Sequence, residues 1–87
     1  MNSFHLKIVT PDGVYFDGQA ESVTVRTIAG YMGILAGHID ITTALADGEA
    51  RVVVAGKTRR ADCRQGLLSV QKGEVTLLPA VFHWTEE

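Results

Sequence analysis

The feature that most constrains this chain is hydrophobic alternation with a period of two, broken by turn residues at intervals of about 8–12 positions. In Phe4-His5-Leu6-Lys7-Ile8 every second residue is apolar, the pattern of a strand with one buried face. Pro11-Asp12-Gly13 then supplies a turn: proline presets φ, aspartate bonds nearby backbone, and glycine accepts positive φ. Val14-Tyr15-Phe16 resumes the strand before a second expected break at Asp17-Gly18, and Ser22–Thr27 alternates again with Val23 and Val25 inward. Further on, Ile39, Ile41, Thr43 and Leu45 share a face, and Asp47-Gly48 turns. Arg51–Val54 and Thr58–Arg64 flank a tight hairpin at Ala55-Gly56-Lys57; Leu67–Val70 and Val75–Leu78 flank another at residues 71–74. This spacing predicts an all-β fold, an antiparallel two-sheet β-sandwich or a barrel. Only the tail offers a helix start, with Thr85 as a cap and Glu86 and Glu87 suited to a first turn.

With 87 residues there is room for one core, so residues 1–87 read as one domain. A hydrophobic fraction of 46% and a charged fraction of 21% exclude a disordered chain. A net charge of −2 argues against nucleic acid as a partner, because phosphate-binding domains gather a basic excess on one face. No run of about 18 apolar residues is present, so direct membrane insertion by a helix is not expected, and the opening MNSFHLKIVTPDG does not read as a signal peptide. Cys63 is the sole cysteine, which rules out an internal disulfide and suits a reducing compartment.

Catalytic and ligand signals are weak. His5, His38 and His83 have no ligand spacing between them and Cys63 has no C-x-x-C partner, so no metal site is expected. Cys63 reads as a small apolar filler. On a strand, His38 and Asp40 would share a face, and a small enzyme using the pair is the alternative reading, beside a stand-alone β-barrel that binds a small ligand. Either needs a pocket with converging polar groups. Gly30, Gly33 and Gly37 are spaced G-x-x-G-x-x-x-G, unlike a phosphate-binding loop, so no cofactor is expected. Lys57-Thr58-Arg59-Arg60 reads as charge protecting a strand edge, with an acidic docking partner as the lesser reading.

Taken in order, several short stretches resemble the epsilon subunit of the F-type ATP synthase, specifically its N-terminal β-sandwich. They are F-x-L-x-I-V-T-P-D-G at Phe4 to Gly13, Phe16-Asp17-Gly18, V-x-V-x-T at Val23 to Thr27, and G-x-x-G-I-L-x-x-H at Gly30 to His38. Leu45 to Gly48, G-x-L-x-V at Gly66 to Val70, and V-T-L-L at Val75 to Leu78 complete the set. The resemblance covers nearly the whole chain. It implies about ten short strands in two sheets of about five. It also implies a non-catalytic rotor subunit in the central stalk of a proton-translocating ATP synthase, with the gamma subunit and the c-ring of the membrane sector as partners. The implied location is the cytoplasmic face of the cell membrane, as a peripheral subunit of bacterial type.

On the same resemblance, the segment from Gly30 to His38 forms the end that rests on the c-ring. Gly30, Tyr31, Met32, Gly33, His38 and Asp40 are the interface candidates: glycines for close approach, Tyr31 and Met32 for adaptable contact area, His38 for a polar rim contact. The patch for gamma is expected among outward residues of the later strands. The chain departs from the family at Tyr31, where some members carry an acid, and at Asp40, where a proline is common. Gln65-Gly66 replaces a glycine pair, so one left-handed backbone position is expected to be lost. Family members usually continue past a segment like Phe82–Glu87 into a two-helix domain, and none of its inhibitory or ATP-binding residues is carried onto this sequence.

Overall fold

The computed structural model describes residues 2–86 and is built from strands: β1 Phe4–Thr10, β2 Gly13–Ala20, β3 Ser22–Thr27, β4 Gly30–Leu35, β5 Ile41–Ala44, β6 Gly48–Val54, β7 Lys57–Gln71 and β8 Glu74–Glu86. They join in the order β2-β1-β8-β7-β6-β3-β4, with β5 added to β7. Two strands are long enough to serve two layers. The first half of β7 pairs with β6, from Lys57 opposite Val54 to Cys63 opposite Gly48, while its second half, Leu67–Val70, pairs with β5. The first half of β8 runs parallel to β1, with Leu6 opposite Val75, and its second half lies at the edge of the other layer. Counted as segments, the eight strands give five in each layer, the two-sheet sandwich the alternation predicts.

The bend that allows this lies at Gln65-Gly66, opposite Pro79. Gly66 has φ +108°, and a Cβ there would stand 2.1 Å from the Leu78 carbonyl oxygen and 2.6 Å from Pro79 Cα. No side chain fits at that crossing. Gln65 takes φ +53°, so the left-handed position expected to be lost is kept, by a residue that is less at ease there. Pro79 is fully buried and has no N–H to leave unpaired. The Gly66 carbonyl accepts a 2.9 Å bond from the Leu45 N–H, which ties the residue following β5 to the bend.

Period-two burial makes the core. Phe4, Leu6 and Ile8 of β1 meet Val23 and Val25 of β3, Ala50 and Val52 of β6, Cys63, Leu68 and Val70 of β7, and Leu77 and Phe82 of β8 in one cluster. Both tight hairpins form: Ala55-Gly56 and Lys72-Gly73 have positive φ at each central residue, the geometry that matches strand twist. Leu45 is buried and Ile41 packs against the core, whereas Ile39 precedes β5 and is 76% exposed.

Two sequence expectations change. The chain does not break at Asp17-Gly18: β2 continues to Ala20, Gly18 pairs with Leu6, and the Phe16 ring lies over the glycine. Thr85 and Glu86 continue β8 as a strand and start no helix, because Ala61 and Arg60 of β7 extend the ladder opposite Trp84 and Glu86; Glu87 lies outside the described residues. Within the basic run 57–60 only Arg60 stands opposite β8, at Glu86, while Lys57, Thr58 and Arg59 pair with β6 alone among the described residues, so these charges lie on a free flank of β7 as the edge-protection reading expects. Arg59 also lays its guanidinium 3.8 Å from the Trp84 ring centre, and Phe16, Phe82 and Tyr15 meet edge to face beside it, closing one side of the sandwich.

Replacing Gly66 by alanine should cost about 3 kcal/mol, since positive φ and the clash with Leu78 act together. Chemical denaturation of the variant and the parent measures it, and near-equal midpoints would mean that the bend tolerates a side chain.

Candidate functional site

The segment Gly30–Asp40 does not sit at one end of the sandwich. It begins at one end, runs the length of β4, and finishes at the other, a path of about 17 Å for the strand alone. At the first end Thr27, Ile28, Ala29 and Gly30 turn from β3 into β4. The Thr27 hydroxyl donates to the Gly30 carbonyl at 2.8 Å and accepts the Ala29 N–H at 3.1 Å. Gly30 takes φ +112°, and Ile28 projects from the turn, 75% exposed. Tyr31 stands beside it, opposite Arg26, and lines a cleft of ≈ 300 Å³ with Thr24, Glu49 and Arg51 on the outer face of the layer. Met32 packs against the core and Gly33 lies opposite Thr24.

At the other end Gly37 turns with φ +82° and His38 donates its N–H to the Leu35 carbonyl at 3.1 Å. His38 Nδ1 donates to the Ile39 carbonyl at 2.7 Å, while Asp40 Oδ1 accepts the Lys72 N–H at 2.9 Å and bolts this loop to the β7–β8 hairpin. The two side chains are thus engaged with separate backbone groups. The expectation that they share a strand face fails because residues 36–40 lie outside any strand. Neither residue lines the Tyr31 cleft. Burial, and then Asp62 and Asp47, push the Cys63 thiol up to about 11, so it stays protonated and inert. No group of three or more His, Cys, Asp or Glu among the described residues is arranged to hold a metal ion.

Outward residues of the later strands, which the sequence did not single out by number, form a surface on the outer face of the other layer. Leu67 and Leu78 stand opposite each other on β7 and β8, 48% and 44% exposed. Ala44 of β5 flanks Leu67, and Val9 of β1 follows the Ile8–Leu77 pair beside Leu78. The row therefore crosses four strands, with Thr42, Ser69, Thr76 and Lys7 in the next row. The signal was present as two doublets, Leu67-Leu68 and Leu77-Leu78: in an alternating strand, a doublet puts one leucine inside and one outside.

The same face carries a charged clamp. His5 of β1 meets Asp17 of β2 through Nε2 at 2.6 Å and Glu74 of β8 through Nδ1 at 2.8 Å. Both ring nitrogens can donate only in the imidazolium form, and the hydrogen bond to Glu74, then that to Asp17, raises the pKa of His5 above 6.5.

The family description that matches residues 3–85 is "ATP synthase, Delta/Epsilon chain, beta-sandwich domain". The chain belongs to that family. The epsilon-type domain is 36% identical over 87 residues to the ATP synthase epsilon chain of Caldicellulosiruptor saccharolyticus, covering 100% of this chain and 64% of that one. Against the sodium ion specific ATP synthase epsilon chain of Acetobacterium woodii it is 35% identical over 86 residues, covering 98% and 65%. It thus spans just under two thirds of these relatives' length. A chain of the Euglena gracilis mitochondrial ATP synthase OSCP/F1/c-ring structure superposes with a TM-score of 0.89 at 25% identity, covering 97% of this chain and 54% of that one. A chain of the Tetrahymena thermophila central stalk/c-ring structure shares the fold, with a TM-score of 0.77 at 16% identity over 91% of this chain and 64% of that one. The epsilon-type domain is therefore an all-β module similar to chains of ATP synthase F1 and stalk assemblies, and no helix among its described residues is long and apolar enough to cross a membrane.

The His5 clamp sets a pH dependence. Because its folded-state pKa lies above 6.5, its stabilisation is complete below that value and is lost as pH rises through the folded value. Thermal unfolding from about pH 6 to about pH 9 should show the midpoint falling, with a flatter profile for His5→Gln. Parallel profiles for both proteins would assign the pH dependence to another group.

Proposed function

We propose that the epsilon-type domain is a non-catalytic rotor element: it fixes the gamma subunit to the c-ring of the membrane sector, so that ion flow and ATP synthesis are mechanically coupled. The observation that carries this reading is the outward row Val9-Leu78-Leu67-Ala44, an apolar, strand-built patch that Val14 of β2, opposite Val9, extends. It is the type of surface that gamma would cover, and cross-strand leucines form a flat, preorganised anchor there. A torque link needs a second contact, well separated from the first, on a stiff body. Two packed sheets supply the stiffness.

For that second contact, the turn end with Ile28, Gly30, Tyr31 and Met32 is the better candidate. Ile28 and Tyr31 are exposed there, and a glycine at the turn lets a partner's backbone approach. His38 and Asp40 lie at the opposite end, each already bonded to backbone. In this role the domain works at the cytoplasmic face of the cell membrane as a peripheral subunit. It needs neither nucleotide nor metal of its own.

The purified chain should form a one-to-one complex with the gamma subunit of its own synthase at micromolar concentration. Leu67→Thr with Leu78→Thr should weaken that complex by at least about tenfold, as removal of central anchors does, while leaving thermal stability close to the parent's. Absence of any complex with the parent protein would remove the rotor reading. In membranes carrying the whole synthase, Tyr31→Ala should lower ATP-driven ion pumping relative to hydrolysis, and His38→Ala should not. Equal loss in the two variants would return His38 to the ring contact.

A further inference from the structure

Of the strands that end a layer, three carry protection. β2 contains Asp17 and faces a register shift between Ile8 and Val9; β5 is four residues long; the outer half of β8 follows Pro79 and carries His83. Such features deter strand addition. β4 has none of them. Its sequence GYMGIL is uncharged, and from Thr27 to Ile39 the chain holds no Asp, Glu, Lys or Arg. Among the described residues β4 is the last strand of its layer and pairs only with β3. Exposed apolar side chains gather along it: Ile28 at 75%, Tyr31 at 61%, Leu35 at 64% and Ile39 at 76%.

The arrangement is also self-complementary. Tyr31 and Leu35 lie two positions on either side of Gly33, and all three face outward. In an antiparallel pair, residues directly opposite each other point to the same side of the sheet. A two-fold axis through Gly33 therefore sets Tyr31 of one copy against Leu35 of the other, twice, and Met32 against Ile34 on the inner side. Gly33 meets Gly33 at the axis, with no side chain on either copy to hold the strands apart.

We propose that free copies of this chain dimerise edge to edge through β4, in antiparallel register about Gly33, joining their β4-bearing layers into one continuous sheet. The contact is isologous and closes on itself, so it ends at two copies. It is also small, and its two apolar pairs give a weak, reversible dimer. The proposal does not rest on the rotor reading, and a dimerised chain has its β4 edge covered.

Sedimentation equilibrium of the purified chain across about 10 µM to about 1 mM, the range in which a small transient interface exchanges, should show the average mass rising toward twice that of the monomer. Leu35→Lys should keep it monomeric with an unchanged circular dichroism spectrum. For the register, Gly33→Cys is well suited. A Cβ at Gly33 meets only Thr24 Oγ1 at 3.7 Å, and directly opposed strand positions lie within disulfide reach. Mild oxidation should link Gly33→Cys chains into dimers far faster than Thr42→Cys chains, whose thiol sits on the outer face of β5. A monomer at every concentration, a dimer untouched by Leu35→Lys, or equal cross-linking of the two cysteine variants would each overturn the proposal.

Discussion

The architecture depends on one crossing. At Gly66 the backbone of β7 passes so near Leu78 and Pro79 of β8 that only a hydrogen fits between them. That contact lets a single long hairpin leave one layer and enter the other, so the layers are joined by continuous backbone as well as by core packing. β6 and β5, which pair with successive halves of β7, inherit their relative placement from it. So do β1 and the edge half of β8. A bend without the glycine would have to open a ladder at its centre, leaving paired backbone groups unsatisfied in a buried region.

The bend also separates the outer faces by character. The layer containing β1, β5 and the second half of β7 presents the leucine row and the His5 clamp. The other presents arginines interleaved with acids: Arg51 to Glu49 at 2.8 Å and Arg64 to Asp62 at 3.1 Å, with Arg60 3.7 Å from Glu49. Exposed pairs of that kind contribute little to stability. Their effect is to keep the stretch over β6 and the first half of β7 hydrated, while the leucine row on the opposite face remains available for an apolar partner. Arg59, on the same strand, turns inward to Trp84, where its charge caps the open side of the core without being removed from water.

Strands and hairpins were legible because alternation and turn chemistry are local: Phe4–Thr10, Ser22–Thr27 and the two tight turns all follow from neighbours in sequence. What stayed hidden depends on partners far along the chain. Thr85-Glu86 has the composition of a helix start, yet Ala61 and Arg60 offer it a strand to pair with. Gln65 looks unable to replace glycine, yet the crossing beside it imposes φ +53° and an exposed side chain accepts the strain. Gly30 to His38 is expected to form one end of the sandwich; β3 opposite turns its first half into a strand and so parts Tyr31 from His38. The leucine doublets were visible in the sequence, but which leucine faces outward was not decided until the register was known.

The parallel pairing of β1 with β8 bears on how the chain is made. Its first strand has a hairpin partner at once in β2, but the other flank waits for residues 74–77, nearly seventy positions further along the chain. During synthesis Phe4, Leu6 and Ile8 leave the ribosome long before that flank exists. The last hairpin is local and forms on the microsecond scale once it emerges. Assembly of this half of the core therefore waits for β8 to emerge and does not follow the order in which the earlier strands are made.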